Sequence, residues 1–167
     1  MTRSAAPAAS ARAAVEGVAP ASALTSWTVA LQTPPTEFYP RFGPLPAVVA
    51  VRDQPHEWDV VGYTRTLELS DGGHVVETIT QTEPGAFFGY DLSEFQKLFG
   101  RLVSGARAEW TFTPGGSSGT ATRIRWTYAF HPLPGRGWIV RAIVAALWAP
   151  YMRRVLPAIV AEVARRG

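Results

Sequence analysis

The stretch WIVRAIVAALWAPYMRRVL, Trp138 to Leu156, constrains this chain most, because so apolar a segment near the end of the sequence must be covered by something. The eleven residues from Ala142 to Met152 carry no formal charge, whereas a bilayer-spanning helix needs about 20 apolar residues in a row. The stretch is therefore expected to pack on protein or a ligand, or to lie on a membrane surface, rather than to cross one. On a helical wheel Val140, Ile143, Val144, Leu147 and Tyr151 form one stripe. Met152, Val155, Leu156, Ile159 and Val163 form another, displaced beyond Pro150. The shift predicts a helix kinked at the proline and following a curved surface.

Upstream segments can supply that surface. AVVAVRD, GYTRTLELS, HVVETITQT, AFFGYDLS, ARAEWTFT and ATRIRWTYAF read as six strands, separated by turn signals that include DGG, EPG, QKLFGRLVSG and PGGSSG. Short turns between consecutive strands imply an antiparallel meander. Trp110 and Phe112 share one face, as do Ile124, Trp126, Tyr128 and Phe130, while Arg123, Arg125 and Thr127 alternate away from it. Before the meander, Arg12 to Ala19 reads as a further strand, Ser22 starts a helix over ALTSWTVAL, and TEFY suits a one-turn helix. Prolines at 34, 35, 40, 44 and 46 make the following segment a structured loop.

A chain of 167 residues suffices for one domain with a proper core. The expected organisation is a flexible tail over residues 1–10 and a single domain over 11–167. Cysteine is absent, which excludes disulfides, a thiolate nucleophile and cysteine-ligated zinc, and suits a cytoplasmic protein. The first residues lack the apolar run of a signal peptide. The net charge of +3 comes largely from arginines near the end of the chain. That charge is modest and no exposed aromatic-basic interleaving is visible, so nucleic-acid binding is not expected. His56, His74 and His131 lack ligand spacing, and no metal or cofactor is expected. PGGSSGT lacks the lysine and following helix of a phosphate loop and reads as a hairpin turn. No G-x-S-x-G elbow is present.

The order of strand, two short helices, long meander and long final helix resembles the START-like, or SRPBCC, superfamily. GPLPAVVAVRD, TRTLELSDGG, ARAEWTFTP, TRIRWTYAFHPL and YMRRVL are similar to its polyketide cyclase/dehydrase and lipid-transport branch. The resemblance implies an α+β helix-grip fold, in which a curved antiparallel sheet of six or seven strands wraps around the C-terminal helix. It also implies a pocket between sheet and helix for a small hydrophobic or amphipathic molecule. On that reading Tyr63, Arg65, Leu67, Glu77, Phe88, Tyr90, Trp110, Phe112, Trp126 and Tyr128 border the pocket from the sheet. Val144, Trp148, Tyr151 and Met152 border it from the helix. The aromatic residues equally suit a solid core, and periodicity alone does not separate the two.

Arg65 and Glu77 are the candidate chemical groups. Alternation puts Arg65 with Tyr63, Leu67 and Leu69, and Glu77 with Val75 and Ile79. A three-residue DGG loop would set Leu67 opposite Glu77 and Arg65 diagonal to it, whereas a two-residue loop would turn Glu77 away. The pair reads either as a structural ion pair at a sheet margin or as a carboxylate and guanidinium that orient a ligand or transfer a proton. Glu57 and Asp59 are expected to face water, and Glu109 to lie outside near Arg107, Arg123 and Arg125.

Three functions remain open at this level. The first is a binding, transport or sequestration protein for a lipid- or polyketide-like ligand, as monomer or homodimer. The second is an aromatase/cyclase or dehydratase using Arg65 and Glu77. The third is a module whose final helix makes peripheral contact with a membrane or binds a partner protein.

Overall fold

The computed structural model describes residues 9–116 and 118–167. Of the expected tail over residues 1–10, positions 1–8 lie outside the described residues. Strand β1, Ala11–Ala19, leads to α1, Ala23–Gln32, which starts where Ser22 Oγ accepts the N–H of Thr25 at 3.1 Å. Helix α2, Pro35–Phe38, uses its proline at the first position, where the missing N–H has no helical partner to lose. The meander follows as β2 (Val48–Arg52), β3 (Thr64–Leu69), β4 (His74–Glu83), β5 (Phe87–Ser93), β6 (Val103–Gly115) and β7 (Ala121–Pro132). A short α3, Lys97–Gly100, sits inside the expected turn before β6. The strands form one antiparallel sheet in the order β1-β7-β6-β5-β4-β3-β2. This is the helix-grip architecture that the family resemblance implied.

The β3–β4 hairpin corrects the expected register. The loop is Ser70-Asp71-Gly72: the Gly72 N–H donates to Leu69 O, the Leu69 N–H donates to Gly73 O, and Gly72 takes φ +79°. Such a turn with a glycine bulge closes one residue earlier than the DGG reading, which moves the cross-strand pairing by two. Arg65 consequently stands directly opposite Glu77, and Leu67 opposite Val75. Both members of the ion pair still face inward, because a shift of two keeps the side-chain alternation.

The last helix is continuous from Gly137 to Arg166, 30 residues that by length and composition alone could cross a bilayer. Instead its apolar face lies on the sheet. Where the proline was expected to kink the helix, α4, Gly137–Ile143, passes through a π turn, Val144–Trp148, into α5, Ala149–Arg166. The Ala149 N–H reaches back to Val144 O, one residue further than in an α-helix. This widening accommodates Pro150, which has no N–H and whose ring would crowd the carbonyl four residues earlier. The extra residue also accounts for the displaced stripe. Val140 and Val144 are buried before the turn, and Tyr151, Met152, Val155, Leu156, Ile159 and Val163 after it.

Rows of residues across the sheet determine where the core is solid. Trp110 stands opposite both Phe88 and Trp126, with centroid separations of 5.6 Å and 4.7 Å and nearly parallel rings. Phe112 stacks on Phe88 at 5.8 Å. Beside this slab α5 approaches β1 at Gly17, where a β-carbon would lie 3.3 Å from Val160 Cγ2 and 3.4 Å from Leu156 Cδ2. Gly17→Val is expected to force the helix away and destabilise the protein by about 1–3 kcal/mol. Urea unfolding against wild type measures it.

Candidate functional site

Towards the other end of the sheet the rows thin out. Ala108 on β6 lies between Tyr90 and Tyr128, and Ala106 between Leu92 and Phe130. A methyl group thus stands where Trp110 fills the adjacent row. Tyr90, Leu92, Tyr128 and Phe130 of these rows border a cavity of about 210 Å³. Its sheet wall includes Leu67, Val75, Glu77, Tyr90, Leu92, Tyr128 and Phe130, and its helix wall comprises Ile143, Leu147, Trp148 and Tyr151. Tyr39, Leu45 and Val48 close one side, and the segment from Phe95 to Phe99 another. At the rim Gln96, Lys97 and Leu98 are exposed to solvent, Leu98 by 65%.

Of the residues expected at a pocket, Leu67, Glu77, Tyr90, Tyr128, Trp148 and Tyr151 border this cavity. The others are placed elsewhere. Phe88, Trp110, Phe112 and Trp126 form the solid aromatic slab, and Val144 and Met152 are buried in the helix–sheet contact outside the cavity lining. Tyr63 precedes β3 in a turn closed by its own N–H to Val60 O, with Gly62 at φ +92°. Strand alternation starts only at Thr64, so the Tyr63 ring is left 38% exposed. Arg65 stands behind Glu77 rather than in the lining.

Residues without an expected site role also contribute. Ile143 and Leu147 were legible in the helical stripe, and Phe130 in the strand pattern. Tyr39, Phe95 and Phe99 come from segments with no periodicity to announce them.

The Arg65–Glu77 pair is buried, with residue exposures of 7% and 4%. Arg65 Nε donates to Glu77 Oε2 at 2.6 Å, and its Nη1 donates to Gln54 Oε1 at 3.0 Å. The guanidinium also lies 4.3 Å from the ring centroid of Trp58, which turns inward from between Glu57 and Asp59. Gln54 and Trp58 precede β3 on an irregular loop, so no strand pattern reveals them. On the outer face Arg107 pairs with Glu109 at 2.7 Å as expected, whereas Arg123 and Arg125 pair with Glu16 on β1. His131 approaches Ser10 at 3.4 Å and His74 approaches Gln96 at 3.3 Å, both near the surface.

Four tyrosines surround the carboxylate end of the cavity. Burial, and secondarily the nearby Glu77 charge, hold the Tyr90 and Tyr128 hydroxyls well above the ordinary tyrosine range. Burial together with Tyr90 and Glu77 does the same for Tyr39, and burial alone raises Tyr151. The Tyr151 hydroxyl donates to Pro40 O at 2.7 Å, pinning the helix to the proline-rich loop. Trp148 adds an indole N–H that is buried without a hydrogen-bond partner among the described residues.

The chain matches the family described as polyketide cyclase / dehydrase and lipid transport over residues 10–164. No curated protein matches it. Among solved structures, it is similar to Zhui aromatase/cyclase from a Streptomyces species at 15% identity, with a TM-score of 0.66 over 93% of this chain and 94% of that one. The protein MLL2253 from Mesorhizobium loti aligns at 14% identity and a TM-score of 0.64, covering 93% and 98%. Norcoclaurine synthase from Thalictrum flavum, solved in complex with dopamine and hydroxybenzaldehyde, aligns at 14% identity and a TM-score of 0.62, covering 95% and 90%. At these identities the likeness is one of fold, a fold suited to ligand binding. By its match along nearly its whole length, the chain belongs to the polyketide cyclase / dehydrase and lipid transport family.

Two outcomes follow for the buried pair and the phenols. Glu77→Leu alone leaves Arg65 buried without its carboxylate and is expected to cost about 3–5 kcal/mol, whereas Arg65→Met with Glu77→Leu returns stability to the wild-type level or above. Urea denaturation compares them. A tyrosine whose folded pKa is raised stabilises the fold fully below its unfolded pKa near 10, and loses that contribution as pH climbs towards the folded value. Tm is therefore expected to stay level up to about pH 9 and fall above about pH 10. Replacing Tyr39, Tyr90 and Tyr128 by Phe is expected to flatten that fall in a calorimetric pH series.

Proposed function

We propose that residues 11–167 act as one binding domain that takes up a small hydrophobic or amphipathic molecule between the sheet and the C-terminal helix, to carry or sequester it. The observation that supports this reading most is the cavity of about 210 Å³ between the sheet and the C-terminal helix. A dry apolar cavity of about 150 Å³ is enough to hold benzene. Ligand pockets for drug-sized molecules run to about 300–1,000 Å³. The guest that fits without rearrangement is thus one or two fused rings or a short acyl chain. A full-length phospholipid or extended polyketide would require the walls to move. Affinity would come from burying apolar ligand surface at roughly 25 cal/mol per Å² before entropic losses, with the polar groups setting orientation.

Leu147→Trp fills the hollow from the helix side. The variant is expected to keep the wild-type circular dichroism spectrum and to lose uptake of small neutral aromatics in titration calorimetry. Undiminished uptake by the filled variant, or no uptake by wild type from a panel of mono- and bicyclic compounds and short acyl chains, would overturn the reading.

A second reading is favoured by one specific feature, the presence of Glu77 in the cavity lining with Arg65 directly behind it. A carboxylate so held could act as general base on a bound carbonyl compound in a cyclisation or dehydration. Turnover of a polyketide-like substrate that disappears in Glu77→Gln, with ligand uptake retained, would establish it. Turnover that survives the substitution would remove it.

A further inference from the structure

The polar groups at the buried end of the cavity are unevenly supplied with partners. Glu77 Oε2 accepts from Arg65 Nε, while Glu77 Oε1 has no hydrogen-bond donor among the described residues. Arg65 is engaged on three sides, by Glu77, by the Gln54 amide and by the Trp58 ring, and does not border the cavity. Among the described residues Lys97 is the single cation in the lining, and it stands at the exposed rim. A guest reaching the buried end therefore meets the acceptor-only Oε1 of Glu77, with tyrosine hydroxyls and the Trp148 indole N–H beside it but no cation among the described lining residues there.

From this, and resting on the binding reading above, we infer that the cavity selects guests whose buried end is a neutral hydroxyl, with aromatic alcohols of one or two rings as the fitting class, and rejects guests whose buried end is a carboxylate. A neutral hydroxyl donates to the unpartnered oxygen of Glu77, a charge-assisted bond that is stronger than one between neutral groups. A carboxylate would be stripped of water beside a like charge, with no free cation to receive it. The apolar remainder of the guest then extends past Leu92, Phe130 and Leu147 towards Leu98. Fatty acids entering head first are disfavoured for the same reason, although their tails suit the walls.

Three probes of nearly equal shape separate the contributions: naphthalene, 2-naphthol and 2-naphthoate, titrated into the full chain at pH 7.5 and followed by fluorescence. The expected order is 2-naphthol tightest, by roughly ten- to a hundredfold over naphthalene, with 2-naphthoate weaker than naphthalene. The paired variant Arg65→Gln with Glu77→Gln replaces the ion pair by two amides, and each preference is read against naphthalene binding in that same variant. The preference for the alcohol falls below about threefold and the exclusion of the acid disappears. Equal binding of naphthalene and 2-naphthol by wild type, binding of 2-naphthoate as tight as the alcohol, or a paired variant that keeps the wild-type order would each overturn the inference while leaving the cavity reading intact. Failure of all three probes to bind overturns both. The wild-type series decides the matter alone should the paired variant not fold.

Discussion

The close seating of α5 on β1 at Gly17 is the contact on which the rest of the structure depends. With only a hydrogen at position 17, Leu156 and Val160 come down onto the strand, and the apolar face of α5 is buried along its length. The helix is a rigid rod of about 45 Å. Fixing one end of such a rod on a curved sheet dictates how far the other end stands off. Towards its other end Trp148 and Tyr151 border the cavity, across from Tyr90, Leu92, Tyr128 and Phe130.

Two local devices make this arrangement compatible with the backbone. The π turn at Val144–Trp148 takes up Pro150 without breaking the helix and rotates the surface that follows, so residues on both sides of the proline can bury apolar area. The proline-rich loop before β2 is tied to the helix through the Tyr151 hydroxyl on Pro40 O, which makes irregular chain part of the cavity wall. Arg65 and Glu77 form a buried ion pair at this cavity, with Glu77 in its lining. A buried ion pair adds little stability compared with apolar residues of the same size, because desolvation offsets most of the Coulomb attraction. On the proposed function, its carboxylate oxygen at the cavity would serve a guest.

Much of this was legible in the sequence, and the reasons differ between parts. The strands of the meander were readable because their alternation is strict, as in ATRIRWTYAF, and because turn residues separate them. The helix was readable because its apolar stripe has helical period. Periodicity says which face of an element is buried but not against what, so Phe88, Trp110, Phe112 and Trp126 could not be told apart from cavity residues. Their partners across the sheet decide the matter: aromatic beside aromatic fills a row, aromatic beside alanine leaves one open. The Arg65–Glu77 pairing was approachable from alternation, yet its register depended on a turn type that DGG does not settle. Gln54, Trp58 and the Phe95–Phe99 segment gave no signal, since loops have no period and their position relative to the core is a tertiary outcome.

The account stands on the claim that the space under Trp148 and Tyr151 is hollow and apolar in the folded protein. Diffraction from crystals held under xenon pressure tests it directly, because the gas enters dry apolar cavities and scatters strongly. A xenon peak between Phe130, Leu92 and Leu147 is the predicted result. Electron density of protein side chains filling that volume, with no xenon bound, would contradict the account.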